Sequence, residues 1–212
     1  MAEALGLNKS GTNEAREQAL KERFPIKKDE ELVCKLTLLL DWAGVIMTWH
    51  LSGVLSEEFQ RDCARNLEFL FPDISRSITG LRSWRAQEDL FTEGCIRGAI
   101  ELSPPFRHQP KVSAILKYSH ANPGPQQWLQ AGALQTAILS AILLVIHPNL
   151  YASGRETLLK LAGSTLDKEM KQIIPEWSTV YSVVSIIVNQ ATPFHRDLSC
   201  QVQWLDMLAT IG

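Results

Sequence analysis

A histidine and an aspartate stand two positions apart in the segment Pro193-Phe-His195-Arg-Asp197-Leu. On an extended backbone, two such side chains lie on the same face, about 7 Å apart along the chain at ~3.3 Å per residue. Imidazole nitrogen and carboxylate oxygen can then converge on one ion, and together they make two thirds of the facial triad that holds non-heme iron(II). The spacing therefore indicates a candidate iron site with His195 and Asp197 as ligands.

Two other interpretations of this segment stay open. The letters His-Arg-Asp-Leu also begin the catalytic loop of protein kinases, in which an Asn four positions after the Leu binds magnesium. That position is Val202 here, and the sequence shows neither the glycine-rich loop nor the strand lysine that a kinase needs upstream. In the third interpretation, His195 and Asp197 make local hydrogen bonds, or an ion pair forms with Arg196, and no metal is involved.

The residues around the pair resemble the fungal branch of the TET/JBP-like 2-oxoglutarate and Fe(II)-dependent oxygenases. That family reads Asn-x-x-Thr-Pro-x-His-Arg-Asp, followed by Trp-Tyr-Asp-Leu-Leu and Thr-x-Gly. The matching positions, in order, are Asn189, Thr192, Pro193, His195, Arg196, Asp197, Trp204, Asp206, Leu208, Thr210 and Gly212. Leu205 stands where the family has Tyr. Residues 147–161 also look like the helical segment that precedes the family's core, so the resemblance covers roughly residues 110–212.

This resemblance implies Fe(II) held by His195, Asp197 and a distal His, with 2-oxoglutarate as co-substrate. The implied reaction is oxidation of the methyl group of 5-methylcytosine in DNA, for which the base must leave the stack. It also implies a nuclear protein with DNA as its partner. The distal His and the Arg that binds 2-oxoglutarate lie well beyond the His-x-Asp pair in that family, and the 15 residues after Asp197 contain neither type. We therefore expect a fragment, truncated after the His-x-Asp motif and inactive alone.

The expected fold class is α+β, with a helical N-terminal region followed by the start of an incomplete double-stranded β-helix, or jelly-roll. Three parts are expected along the chain. Residues 1–30 form a charged, disordered arm, residues 31–102 a helical region of unknown role, and residues 110–212 a partial oxygenase domain. The proline-rich stretch 103–110 separates the last two parts.

Apolar periodicity and breaker residues predict the individual elements. The predicted helices span residues 30–55, 57–71, 127–146 and 152–161, and we expect Ser56 to cap the second of them and Pro72 to stop it. β-Branched and aromatic composition predicts strands over residues 112–118, 179–188 and 201–211. The apolar run that ends at Ile146 is shorter than the ~20 residues of a membrane span. We therefore expect a helix that is buried on nearly every face.

Composition excludes several classes of protein. The chain has 212 residues, a formal net charge of -2 and 45% hydrophobic residues, so it is neither a disordered chain nor a strongly basic nucleic-acid binder. Its four cysteines lack the close spacing of zinc or redox motifs and are expected to be reduced thiols of an intracellular protein. The N-terminus lacks the pattern of a secretory signal, and we expect no membrane association.

The remaining polar features permit more than one interpretation. Arg76, Arg82 and Arg85, with Trp84 among them, suit either a nucleic-acid groove or a solvated helix face. Histidines 50, 108, 120 and 147 are expected to be structural. Residues 30–100 and 127–161 could also form a helical bundle, in which case the protein is a non-enzymatic interaction module and the His-x-Asp pair is incidental.

Overall fold

The structure is a computed structural model that describes residues 18–19, 22–23, 34–78, 84–104, 112–117, 119–164, 167–191 and 205–211. The chain divides into two compact units. One unit runs to Ala64 and includes Thr210–Gly212, and the other is Arg65–Ala209. The division therefore falls inside a helix rather than in the proline-rich stretch 103–110.

The first unit contains a β-hairpin where a helix over residues 30–55 was expected. Strand β1 (Thr37–Leu40) pairs antiparallel with strand β2 (Ile46–His50), and an irregularity in the register falls between Leu39 and Leu40. The helix prediction was wrong because an unbroken apolar run satisfies helical and strand periodicity equally well.

The turn between these strands explains why the segment is a hairpin. The carboxylate of Asp41 accepts hydrogen bonds from the backbone N–H groups of Ala43 and Val45, both at 2.8 Å. Gly44 has φ of 82°, a left-handed conformation that glycine adopts without steric cost. An aspartate that bonds to its own turn and a glycine at positive φ together favour a chain reversal over a continuous helix.

The two faces of the hairpin differ in polarity. Pairing places Leu38 opposite Trp49 and Leu40 opposite Ile46, so these four apolar side chains share one face. Leu38 and Leu40 are nevertheless about half exposed, at 49% and 50%, and Trp42 at the tip is fully exposed. Two strands alone are marginally stable in water, so this face is an apolar surface that the hairpin itself does not cover.

Helix α1 (Glu57–Leu67) follows the hairpin and begins where the sequence predicts. The hydroxyl of Ser56 accepts a hydrogen bond from the N–H of Phe59 at 3.2 Å, which confirms the predicted cap. Pro72 was expected to stop this helix. It instead lies in the first turn of a second helix, α2 (Phe71–Arg76), where proline needs no N–H partner.

The second unit contains the other sheet and four further helices. Strands β3 (Gly98–Leu102) and β4 (Val184–Val188) pair antiparallel. The helices are α3 (Gly124–Ala131), α4 (Ala133–Ile146), α5 (Pro148–Ser164) and α6 (Lys168–Ile173). Single 3₁₀ turns lie at Glu68–Leu70, Trp84–Ala86, Glu88–Leu90, Ala114–Leu116 and Ile174–Glu176.

The core of this unit lies between one face of the β3–β4 sheet and the helices. Side chains alternate across a strand, so Ile100 and Leu102 of β3 are buried on the inner face. The inner residues of β4 pack against the same cluster. The buried members of the cluster come from strand, helix and turn: Leu70, Ile74, Ile100, Leu102, Val112, Leu116, Trp128, Leu129, Leu158, Met170, Ile173 and Trp177.

Helices α3 and α4 replace the single helix expected over residues 127–146. The axis bends by 54° between them, at Gly132. Among the described residues no single helix is long and apolar enough to cross a membrane. Only α3 and α4 taken together reach the length and apolar composition of a membrane span. The expectation of burial on nearly every face was wrong, because α4 leaves one apolar stripe exposed: Leu134, Ala137, Ile138, Ala141, Leu144 and Val145.

The expected α+β class is confirmed, since the structure mixes helices with two small antiparallel sheets. No jelly-roll is present among the described residues, because each sheet there has two strands. The region 31–102 is not purely helical, since it contains the hairpin and β3. Residues 112–117 hold a 3₁₀ turn instead of the predicted strand, and residues 205–211 contain no strand.

Helix α2 and strand β3 meet at a glycine. Gly98 has φ of 149°, and a Cβ atom at this position would overlap the carbonyl oxygen of Ile74. The hydroxyl of Ser77 joins the same two segments, because it donates to the Ile74 carbonyl at 2.6 Å and accepts from the N–H of Ala99 at 2.9 Å. Only glycine permits this close approach.

We predict that Gly98→Ala lowers the free energy of unfolding by about 3 kcal/mol, through backbone strain and overpacking. Gly163→Ala is the matched control, because a Cβ at Gly163 meets nothing within 4 Å. It should leave stability unchanged or raise it by up to about 1 kcal/mol. Urea denaturation of both variants measures the difference, and equal stabilities would contradict the close approach.

Candidate metal centre

Strand β4 is the element that leads into the His-x-Asp segment. Its inner side chains, Val184, Ile186 and Val188, pack on the core, while Ser185 and Ile187 lie on the outer face. The strand is shorter than the predicted 179–188, because the chain bends at residues 180–182. Packing on one face and pairing with β3 hold the end of β4 in a defined position.

The exit from β4 is fixed by its own set of hydrogen bonds. Asn189 adopts a left-handed conformation with φ of 54°, and its side-chain amide donates to the carbonyl of Ile96 at 2.7 Å. Its backbone carbonyl accepts from the N–H of Thr92 at 2.9 Å. Two residues later, the N–H of Ala191 donates to the carbonyl of Leu90 at 2.7 Å. Asparagine suits this position because it tolerates positive φ better than most residues.

The candidate ligands His195 and Asp197 lie outside the described residues, as do Thr192, Pro193, Arg196, Trp204 and Gly212. The assignment of His195 and Asp197 as metal ligands therefore stays a prediction. Of the residues that carry the resemblance downstream, Asp206, Leu208 and Thr210 are described. They lie on a segment without regular structure, in which Leu208 is 94% exposed.

The described histidines occupy positions far apart in the sequence. His50 ends β2, His120 lies in the turn before α3, and His147 joins α4 to α5. Nδ1 of His147 accepts a hydrogen bond from the N–H of Leu150 at 3.2 Å, so this imidazole caps the start of α5. Among the described residues, no three His, Cys, Asp or Glu side chains are grouped closely enough to hold a metal ion.

An open cleft of about 520 Å³ lies over the outer face of the β3–β4 sheet. Its floor includes Glu101 of β3 and Ser185 of β4, which are cross-strand partners. Arg76, at the end of α2, and Arg85, in a 3₁₀ turn, both line it. The sequence predicted that these arginines lie in a nucleic-acid groove or on a solvated helix face. In the structure they belong to two different elements and line one cleft.

Tyr181 and Cys63 have raised pKa values. Burial raises the pKa of the Tyr181 phenol to about 12, and the carboxylate of Asp206 adds to the shift. The phenol oxygen is buried without a hydrogen-bond partner among the described residues. Burial, followed by the neighbouring Asp62 carboxylate, also raises the pKa of the Cys63 thiol. Cys34, Cys63 and Cys95 are free thiols, and Cys63 is accordingly a poor nucleophile.

No protein-family model matches this chain, and a search of curated proteins finds no match to it.

We predict that substitutions of Asn189 rank by the conformation they allow. Asn189→Gly keeps the left-handed backbone but loses the bond to Ile96, which should cost about 1 kcal/mol of stability. Asn189→Ala loses the bond and also strains the backbone, which should cost about 2 kcal/mol or more. Chemical denaturation measures both values, and an alanine variant at least as stable as the glycine variant would contradict this account.

We also predict a loss of stability at high pH that depends on Tyr181. A phenol has a pKa near 10 in the unfolded chain and one of about 12 in the fold, so the unfolded state ionises first. The contribution of Tyr181 is therefore complete below about pH 10 and is lost as pH rises toward 12. The free energy of unfolding, measured between pH 10 and 12, should fall less steeply with pH in Tyr181→Phe than in the unsubstituted protein. Equal slopes in the two proteins would exclude the pKa shift.

Proposed function

We propose that this chain is part of the catalytic domain of an Fe(II)- and 2-oxoglutarate-dependent oxygenase of the TET/JBP-like kind. Its substrate class is DNA that contains 5-methylcytosine, or another methylated nucleobase in nucleic acid. His195 and Asp197 supply two metal ligands, and the protein is intracellular and nuclear. The strongest support is the order of β4, the left-handed Asn189 and the His-x-Asp pair that follows within eight residues.

The fixed exit from β4 matters because metal ligands need a rigid support. A site on a poorly held loop loses affinity, since the cost of ordering the ligands is paid at binding. The backbone of Asn189 and Ala191 and the side chain of Asn189 bond to residues 90–96, so the chain is held up to four residues before His195. The next residues therefore start from a defined point on a packed sheet.

The donor types also fit iron(II). A neutral imidazole and an ionised carboxylate are the donors of the two-histidine, one-carboxylate sites, and both must be free of their protons to bind. When bound with 2-oxoglutarate and oxygen, the metal would supply the oxidising power for the methyl group. Helix α5 occupies the segment for which the resemblance expects a helix, residues 147–161, and it packs on the core through Leu158.

The chain as given should be a weak catalyst. Residues 198–212 contain neither a second His ligand nor an Arg for the 2-oxoglutarate carboxylate. Two ligands compete poorly with water for Fe(II), and without the Arg the co-substrate has no bidentate partner. We therefore propose that the chain binds metal through His195 and Asp197 but does not turn over 2-oxoglutarate alone.

We predict that anaerobic calorimetric titration with Fe(II) gives binding that falls by about tenfold or more in both His195→Ala and Asp197→Ala. His120→Ala and Glu58→Ala are the matched controls, because they remove the same two donor types elsewhere in the chain. A second measurement follows succinate from 2-oxoglutarate with ascorbate and methylated DNA, and we expect none above background. Unchanged metal binding in both site variants would refute the site, and vigorous turnover would refute the inactivity of the chain alone.

A second candidate function is a non-enzymatic helical interaction module. The exposed stripe of α4 favours it, because residues at i, i+3, i+4 and i+7 spacing form one continuous helical face. In this stripe Leu134 is 67% exposed and Val145 is 81% exposed. Such faces serve as anchors for a partner helix or groove. Metal binding that does not depend on His195 and Asp197 would leave this candidate as the better account.

A further inference from the structure

The cleft over the outer face of the β3–β4 sheet has the size and lining of a small-molecule site. Its volume of about 520 Å³ falls within the range of roughly 300–1,000 Å³ that is typical of ligand pockets. The described residues that line it include members of α2, of two 3₁₀ turns, of β3 and of β4. The proposed iron site does not use any of these residues, so the cleft can be considered independently of it.

Two arginines, Arg76 and Arg85, line the cleft. Nε of Arg76 donates to the carbonyl of Pro72 at 3.0 Å, and Nη2 donates to Asp73 at 2.9 Å. These bonds hold the side chain in one orientation, while 68% of it stays exposed and Nη1 can still donate. Arg85 lines the same cleft and is half-buried. A planar guanidinium group held in one orientation, as that of Arg76 is, is a preferred partner of phosphate and carboxylate oxygens.

The floor of the cleft carries the carboxylate of Glu101. This side chain is half-buried on β3 and makes no hydrogen bond or ion pair with another described residue. The other carboxylate of the cleft, Asp73, is occupied by Arg76 and by two hydrogen bonds from the amide of Asn122. An ionised carboxylate only accepts hydrogen bonds, so Glu101 can accept one from an N–H or O–H donor of a ligand that displaces water.

Apolar side chains complete the lining and define the body of the ligand. Ala86, Ile115 and Ile187 also line the cleft. A ligand that fits all three features combines an anionic group, an N–H donor and an apolar body.

We propose that this cleft binds a nucleoside monophosphate whose base has an exocyclic amino group. The phosphate lies against Arg76 and Arg85, and the amino group donates to Glu101. Glutamate and aspartate accept hydrogen bonds from the amino group of cytosine in the same way when proteins read that base. The apolar side chains contact the sugar and the ring.

The test compares two ligands that differ in one position of the ring. Cytidine 5′-monophosphate has an amino group at C4, whereas uridine 5′-monophosphate has a carbonyl oxygen there, which Glu101 would repel. Calorimetric titration of the full chain should show that the cytidine nucleotide binds about tenfold or more tightly. Glu101→Gln should abolish this preference, because an amide both donates and accepts. Arg85→Gln should lower the affinity for both nucleotides by about tenfold.

Controls separate the cleft from general effects of charge. Glu58→Gln and Arg155→Gln change the same residue types at exposed positions and should leave binding unchanged. Ser185→Trp, on the exposed outer face of β4, should block binding by filling the cleft, and it tests the location without changing a charge. Failure of both nucleotides to bind at millimolar concentration would overturn the assignment. The assignment would also be overturned if inorganic phosphate bound as tightly as the nucleotides. It would be overturned as well if none of the cleft variants changed the affinity for either nucleotide.

Discussion

The pairing of β3 with β4 is the interaction on which the second unit depends. It joins two segments that lie far apart in the sequence, and each contributes its inner side chains to one core with the surrounding helices. A two-stranded sheet is not stable by itself in water, so the helical layer and the sheet stabilise each other. Glycine at position 98 permits α2 to approach the sheet closely.

The two candidate sites both follow from that sheet, although they use different parts of it. Its outer face forms the floor of the cleft, and its inner face anchors the strand whose end leads toward His195. Side-chain alternation makes this division possible, because successive residues of β4 serve the core and the cleft in turn. A change that shifted the register by one residue would exchange the two faces and disturb both sites together.

The sequence predicted those features that depend on local chemistry. Ser56 could be identified as a cap, because a hydroxyl before a helical pattern satisfies a free N–H group. Residues 37–50 could not be assigned correctly, because their apolar side chains fit a helix as well as a strand. The decisive signal was the aspartate and glycine of the turn at 41–44, which outweighs the apolar pattern around it.

Features that depend on tertiary contacts were missed as well. Strand β3 is only five residues long, and the sequence Gly98–Leu102 does not indicate that it pairs with a strand more than eighty positions away. The sequence therefore does not indicate that Glu101 lies in a cleft, although it does mark Arg76 and Arg85, which line the same cleft. The His-x-Asp pair and the resemblance around it concern residues that the structure does not describe, so sequence remains the only source for that site.

The long separation between β3 and β4 has a consequence for how the protein folds. Loop-closure entropy must be paid before such distant strands gain from pairing, so a sheet of this kind forms slowly compared with neighbouring helices. During synthesis, β3 leaves the ribosome well before β4 and stays without its partner until residue 188 has followed. Helices α3 to α6 are synthesised in that interval, and the core side chains that they carry give the late strand a surface on which to close the sheet.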